Sequence, residues 1–366
     1  MSPMPLQDWI RPAVQEMAGY TPGEQPPPGV SIIKLNTNEN PYPPPPEVMQ
    51  AIRQAVGEAL RRYPEPDSRS VREAAARAYG HDARGIVCGN GSDDLLALVL
   101  RMAVDSGETV ASPDPSYTLY EPLTTIQGGR FQAVPWAENG HLPVEALAAV
   151  RAKVCLVARP NAPTGHTFPL DEVARLCRLT PGIVVLDEAY ADFADDNGLA
   201  LLPRHANLIV TRSFSKSLSL AGLRLGLAFM TPDLAETMHK VRDSYNLDRL
   251  AQAAAVAALD HLEAFQPAIE AIRRERKHLT SALRQRGFTV PDSQANFVLA
   301  DVPSGPATGR DWLLALKNTG ILVRHFGSDP RLDNRLRISI GTPEEMEHLI
   351  QTIDRLQSGP TFASET

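Results

Sequence analysis

The sequence predicts an α/β fold, with a mostly parallel sheet in a large domain and a smaller α/β C-terminal domain. Three observations carry this expectation. Short apolar runs, each bounded by turn residues, recur between residues 85 and 229. Amphipathic stretches of helical period, such as Asp94–Met102 and Asp171–Leu179, fall between them. A long stretch rich in Ala, Glu, Arg and Leu, from Leu250 to Arg286, then separates this alternation from a second, shorter set of runs.

The chain opens on Met1-Ser-Pro-Met-Pro, which has no basic stretch followed by an apolar core, so no signal peptide is expected. Proline totals 32 residues and clusters at Pro22 to Pro28 and Pro41 to Pro46. Proline fixes φ and lacks an N–H, so these stretches cannot be helix interior and read as an extended arm over the surface. A helix opens at Pro46-Glu-Val-Met-Gln-Ala-Ile-Arg. Strands are expected at Gly85–Cys88, Thr109–Ala111, Val154–Ala158, Ile183–Leu186, Leu208–Val210 and Leu225–Phe229. Leu250 to Arg286 reads as one or two long helices. Beyond it, strands near Phe297–Ala300, Ile321–Arg324 and Leu336–Ile340 alternate with helices near Gly309–Lys317 and Pro343–Leu356. The tail Gln357–Thr366 is small and polar and reads as frayed.

At 366 residues the chain exceeds one ordinary core, which predicts two domains. The apolar fraction of 43% and charged fraction of 22% are those of a soluble globular protein. A net charge of −7 without any Lys/Arg block argues against nucleic acid or an anionic membrane surface as a partner. No apolar run reaches membrane-spanning length. Cys88, Cys155 and Cys177 show no metal-ligand spacing, and reduced thiols in a cytoplasmic protein are the simplest account. No metal site is expected.

Chemistry concentrates in Thr211-Arg-Ser-Phe-Ser-Lys-Ser-Leu-Ser-Leu-Ala-Gly-Leu-Arg-Leu-Gly226. The apolar run Leu208–Val210 delivers the chain into this stretch. Lys216 then sits among Ser213, Ser215, Ser217 and Ser219, with Arg224 just downstream. Hydroxyls and an arginine fork suit a phosphate, and a sheltered lysine beside it suits covalent attachment to a carbonyl. Alone, the segment also reads as a solvated Ser-rich loop. Gly182-Ile-Val-Val-Leu-Asp-Glu-Ala-Tyr190 is an apolar run ending in Asp187, with Tyr190 three residues on. Ligands of open α/β sheets bind beyond the carboxyl ends of strands. A carboxylate there can keep a pyridine nitrogen protonated, although Asp187 alone also reads as a helix N-cap. Gly89-Asn-Gly-Ser-Asp-Asp94 follows a strand and opens a helix, whose N-terminus favours an anion. By itself that turn suits any nucleotide site or a plain cap.

Further motifs stand in order along the chain: Leu35-Asn-Thr-Asn-Glu-Asn-Pro41, Arg62-Tyr-Pro-Glu65, Gly89-Asn-Gly-Ser-Asp93 and Pro113-Asp-Pro-Ser-Tyr117. Arg159-Pro-Asn-Ala-Pro-Thr-Gly165, Tyr245-Asn-Leu-Asp-Arg249 and Leu336-Arg-Ile-Ser-Ile-Gly341 follow. In this order they resemble the fold-type I pyridoxal-phosphate (PLP) aminotransferases, and within them the histidinol-phosphate aminotransferase branch. The resemblance covers nearly the whole chain. It implies an N-terminal arm with part of the small domain at 1–45, a large PLP-binding domain at 46–264 and a small C-terminal domain at 265–366.

The same resemblance implies roles for single residues. Gly91, Ser92 and Asp93 would cradle the PLP phosphate, completed by Ser213, Ser215 and Arg224. Tyr117 would stack on the pyridine ring, where a core tyrosine is the other reading. Asn161 and Tyr190 would hydrogen-bond the phenolic oxygen, although Asn161 alone reads equally as a turn residue. Asp187 would hold the ring nitrogen protonated, and Lys216 would carry PLP and move the substrate's Cα proton. Arg337 matches the family arginine that grips an α-carboxylate. In this branch a phosphate ester takes a similar place, and Arg324 and Tyr20 match residues assigned to it. Asn246 would line the pocket. His325 belongs to no catalytic constellation. Tyr63 would reach the PLP phosphate of a partner subunit, and the arm with Tyr20 would lean over the neighbour's substrate, so a homodimer with shared sites is implied.

The function this implies is amino-group exchange between histidinol phosphate and glutamate/2-oxoglutarate in histidine synthesis. An aromatic amino-acid aminotransferase and a threonine-phosphate decarboxylase of the same fold are the alternatives. A PLP-binding regulator would need an attached DNA-binding module, for which the short arm leaves no room.

Overall fold

The computed structural model describes residues 6–26, 29, 32–137 and 140–359. The arm contributes one short strand, β1 (Ile33–Lys34). The central sheet is built from β2 (Ile86–Gly89), β3 (Thr109–Asp114), β4 (Arg130–Pro135), β5 (Val154–Ala158), β6 (Ile183–Asp187), β7 (Leu208–Ser213) and β8 (Gly226–Phe229). Their spatial order is β2-β8-β7-β6-β5-β3-β4. Neighbours from β7 through β6, β5 and β3 to β4 pair in parallel. Only β8 runs the other way, antiparallel to both β7 and β2. The expected mostly parallel sheet is therefore present.

Strands covered on both faces read as unbroken apolar runs, and β5 and β7 are buried along their whole length. Successive side chains point to opposite faces. Cys155, Val157, Val184, Leu186 and Val210 enter one core, while Val154, Leu156, Val185 and Ile209 enter the other. Besides β1 in the arm, the strand not anticipated is β4 of this sheet. It lies at the sheet edge with Arg130, Gln132, Ala133 and Pro135 exposed, so it carries no apolar run to mark it.

The stretch from Leu250 to Arg286 resolves into two helices, Arg249–Asp260 and Gln266–Gln285, joined by the 3-10 turn Leu262–Phe265. Asp248 caps the first by accepting the N–H groups of Leu250 and Ala251. A second sheet follows, made of β9 (Phe297–Asp301), β11 (Arg324–His325) and β12 (Arg335–Ser339). The single strand expected at Ile321–Arg324 is divided. Its first part, β10 (Ile321–Leu322), pairs in parallel with β1, and β11 pairs antiparallel with β12. The chain changes sheets at Val323, and the arm is thereby tied to the C-terminal part. Helices Gly309–Asn318 and Pro343–Ser358 each begin with a reciprocal capping box, Thr308 with Asp311 and Thr342 with Glu345. Gln357 and Ser358 still belong to the last helix, which corrects the expected start of the frayed tail. Residues 360–366, like Pro27, Pro28 and Met1–Pro5, lie outside the described residues.

Candidate active site

A cavity of about 230 Å³ opens at the carboxyl ends of β6 and β7, walled on its far side by the arm, β11 and β12. This is where open α/β sheets hold their ligands. At one end stand Ser92, Asp93, Ser213, Ser215 and Arg224. The helix Ser92–Ala103 points its N-terminus here, with Gly91 as N-cap at φ 90°. A side chain on Gly91 would lie 2.7 Å from Nη2 of Arg224, and one on Gly226 would lie 2.7 Å from the carbonyl carbon of Gly91. Glycine at both positions lets β8, the turn and the arginine close on one another. Gly91 itself does not line the cavity. Arg224 donates to Ser215 Oγ at 3.3 Å and to Asp93 Oδ2 at 3.5 Å, and Tyr117 Oη donates to Asp93 Oδ1 at 3.1 Å. The Asp93 carboxylate thus orients two neighbours, and what this turn offers an anion is backbone N–H, hydroxyl and guanidinium.

Asp187 closes the floor. It is buried, and its carboxylate accepts hydrogen bonds from Tyr120 Oη (3.0 Å), Thr211 Oγ1 (3.1 Å) and the Ala189 N–H (3.3 Å). These partners are all neutral. Burial pushes the carboxyl up to about 6, opposed by the Tyr120 hydroxyl and assisted by the nearby Asp93 charge. Tyr117 lines the cavity from the turn before the helix Tyr120–Gln127, three residues ahead of the helix start. Asn161 does not reach the cavity wall. It is buried behind it, accepting from Ser116 Oγ and donating to Thr164 Oγ1 and the Pro115 carbonyl.

Lys216 projects into the cavity from the loop after β7. Its Nζ donates to the Thr37 carbonyl at 3.2 Å and lies 5.7 Å from the centroid of the Tyr190 ring. The Tyr190 hydroxyl in turn accepts from Asn38 Nδ2 at 3.0 Å.

Two arginines form the opposite wall. Arg324 and Arg337 are cross-strand neighbours in the register of β11 and β12, and both line the cavity. The Arg337 guanidinium lies 5.3 Å from Phe297 and 5.4 Å from Phe326, donates to the Asn36 carbonyl at 3.0 Å, and has an Nε without a hydrogen-bond partner among the described residues. Burial pulls its pKa below the usual arginine range. Arg324 donates to the carbonyls of Thr21 and Pro22 and so fastens the arm at the cavity mouth. Tyr20 therefore lines the cavity of its own chain, 6.2 Å from Tyr117, which corrects the expectation that it serves a neighbour. The arm cannot be traced from sequence, because its path is set by these long-range hydrogen bonds. Asn246 does not line the cavity. Its amide donates to the Cys88 carbonyl and accepts from Arg242. Tyr63 also stands apart, 76% exposed and stacked on Tyr245 at 4.4 Å.

Sequence reasoning missed several residues. Tyr120 and Thr211 hold Asp187, and Asn40 Nδ2 donates to the carbonyls of Lys216 and Ser217. Thr211 had a usable signal, since it is opposite Asp187 in the parallel register of β6 and β7. Asn38 and Asn40 stand in a motif that was noticed but assigned no role.

Comparison with known proteins decides the family. A model of the aminotransferase class I and II family matches residues 30–353. The chain belongs to that family. Among similar relatives, the histidinol-phosphate aminotransferase of Citrifermentans bemidjiense is 45% identical over 350 residues, covering 96% of this chain and 99% of that one. Histidinol-phosphate aminotransferase 1 of a Nostoc species is 41% identical over 355 residues, with 96% and 99% covered. The crystal structure of histidinol-phosphate aminotransferase from Sinorhizobium meliloti in complex with pyridoxal-5'-phosphate superposes with a TM-score of 0.85 at 29% identity, covering 95% of this chain and 98% of that one. The fold of this aminotransferase is thus the one the sequence motifs implied.

Proposed function

We propose that this chain is a PLP-dependent aminotransferase that exchanges an amino group between histidinol phosphate and 2-oxoglutarate in histidine synthesis. The relatives' shared activity supports the reading. The observation that carries it is the pair Arg324 and Arg337, opposed in register across two strands. Like charges directly opposite are unfavourable in a sheet, and a phosphate dianion between them offsets that repulsion more fully than a carboxylate. The aromatic amino-acid reading offers no second charge for Arg324, and the decarboxylase reading has no support among the relatives named above.

The donor set fits PLP. Ser92, Ser213, Ser215 and Arg224, with the helix N-terminus, would hold the phosphate. The buried Asp187, whose partners are neutral, would meet the protonated ring nitrogen and gain a counter-charge. Bound PLP supplies an electron sink for the bond breaking at the substrate carbon. Tyr117 would cover the ring face and Tyr190 would hold the phenolic oxygen, whereas Asn161, buried behind the wall with its amide already paired, takes no part in that contact. Lys216 would carry the cofactor, and its Nζ would take the proton from the substrate carbon that bears the amino group. Arg337, Arg324 and Tyr20 would fix the substrate phosphate, and Arg337 alone would serve a dicarboxylate.

Arg324→Ala tests the phosphate assignment. A charge-assisted hydrogen bond is worth about 1.5–3 kcal/mol, so kcat/KM for histidinol phosphate should fall about 10- to 100-fold. Glutamate should lose less than about threefold by the same arithmetic. Equal losses would make Arg324 a fastener of the arm and nothing more.

The reading extends to a cytoplasmic homodimer. The three free cysteines are buried, which fits a reducing compartment. Tyr63 would complete a partner's phosphate site from its exposed position. Mixing Lys216→Ala with Tyr63→Ala chains should restore activity through one complete site per mixed dimer, and failure after proven exchange would place each site within one chain.

A further inference from the structure

On the face of β6 and β7 turned away from the cavity lies a buried ionic network that none of the roles above uses. Glu188 follows Asp187, and Arg212 stands between Thr211 and Ser213, so strand alternation turns both side chains to that face. Arg212 Nη1 donates to Glu188 Oε2 at 3.0 Å, and Nη2 donates to Asp192 Oδ1. The Arg212 side chain is 7% exposed and that of Glu188 is fully buried. The guanidinium also lies 5.6 Å from the centroid of the Tyr79 ring. Glu188 Oε1 accepts the Gly198 N–H. Asp192 Oδ2 accepts from Ser217 Oγ, and Ser217 adjoins Lys216. One guanidinium therefore fastens both the strand end that bears Asp187 and the loop that bears Lys216.

Buried ion networks are poor sources of stability, because desolvation offsets most of the attraction. What a fully satisfied network offers is a fixed arrangement of the segments it joins. A lysine that must address one atom needs such support, since a misplacement of about 1 Å can cost about 100-fold in rate. We propose that Glu188, Arg212, Asp192 and Ser217 form a positioning unit that sets the reach of Lys216 Nζ relative to Asp187. Ser217 is its last link. The inference rests on the reading of Lys216 as the cofactor lysine.

Removing Arg212 would strand buried carboxylates and endanger folding. Ser217→Ala is the informative variant, with Asp192→Asn as the second. In Ser217→Ala holoenzyme, kcat should fall about 10- to 100-fold with KM for both substrates within about threefold. The circular dichroism of the bound-cofactor band, which reports its orientation, should change. Borohydride should still label Lys216, and the thermal midpoint should stay within about 4 °C. Ser217→Thr, which restores the hydroxyl, should recover most of the rate. Wild-type kcat with an unchanged dichroic band in Ser217→Ala would overturn the proposal. So would a rate loss matched by a lower midpoint with the band unchanged, because that is the signature of a purely structural contact. Absence of label from Lys216 in the unmodified enzyme would overturn the cofactor reading itself, and the positioning unit with it.

Discussion

Lys216→Ala should lower transamination by about 10⁴-fold or more, the largest loss expected from any single substitution here. In the proposed mechanism the variant loses the attachment point and the base together. Ser213, Ser215, Arg224 and the helix N-terminus remain, so PLP should still bind, but without a covalent link. The loop should hold its shape, because Asn40 grips the carbonyls of residues 216 and 217 rather than the lysine side chain. Borohydride reduction and peptide mapping should place the pyridoxyl group on Lys216 in the unmodified protein and nowhere in the variant. Residual activity of more than about one part in a hundred would move the base elsewhere.

Asp187→Asn should keep PLP yet lose about 100- to 1000-fold in kcat, since an amide cannot hold the ring nitrogen protonated. The same substitution has a second consequence in the cofactor-free protein. Burial raises the Asp187 carboxyl from 3.8 to about 6. A raised carboxyl pKa favours the folded state at low pH, and that contribution is lost as pH rises through about 6. The apoprotein should therefore lose on the order of 3 kcal/mol relative to its Asp187→Asn counterpart between about pH 4 and pH 7. Denaturant unfolding of both apoproteins at pH 4 and pH 8 measures most of the difference. A gap that does not widen with pH would mean that Asp187 ionises without cost and is no counter-charge in waiting.

Much of this site could be read from sequence because its parts follow strands. Asp187 and Ser213 are the last residues of β6 and β7, and a buried parallel strand announces itself as an apolar run. The turn Gly89 to Asp94 was legible for the same reason, as strand, glycine and helix start in succession. What stayed hidden depends on side chains distant in sequence. Tyr120 reaches Asp187 across 67 positions, and Asn40 reaches Lys216 across 176. No local period encodes such pairs. The edge strand β4 lacked an apolar run, and the change of sheet at Val323 left no mark in a continuous apolar stretch. The in-register pairing of Arg324 and Arg337 follows from that change, so the feature that favours a phosphate substrate was invisible until β11 and β12 were placed.

The substrate claim is tested most directly by a half-reaction. The purified PLP form is mixed separately with histidinol phosphate, glutamate, an aromatic amino acid and threonine phosphate, and the cofactor spectrum is followed without a second substrate. The account predicts full conversion to the aminated cofactor with histidinol phosphate and with glutamate, and a far lower specificity constant for the aromatic amino acid. No carbon dioxide should appear with threonine phosphate. Silence with histidinol phosphate alongside rapid conversion by an aromatic amino acid, or release of carbon dioxide, would contradict it.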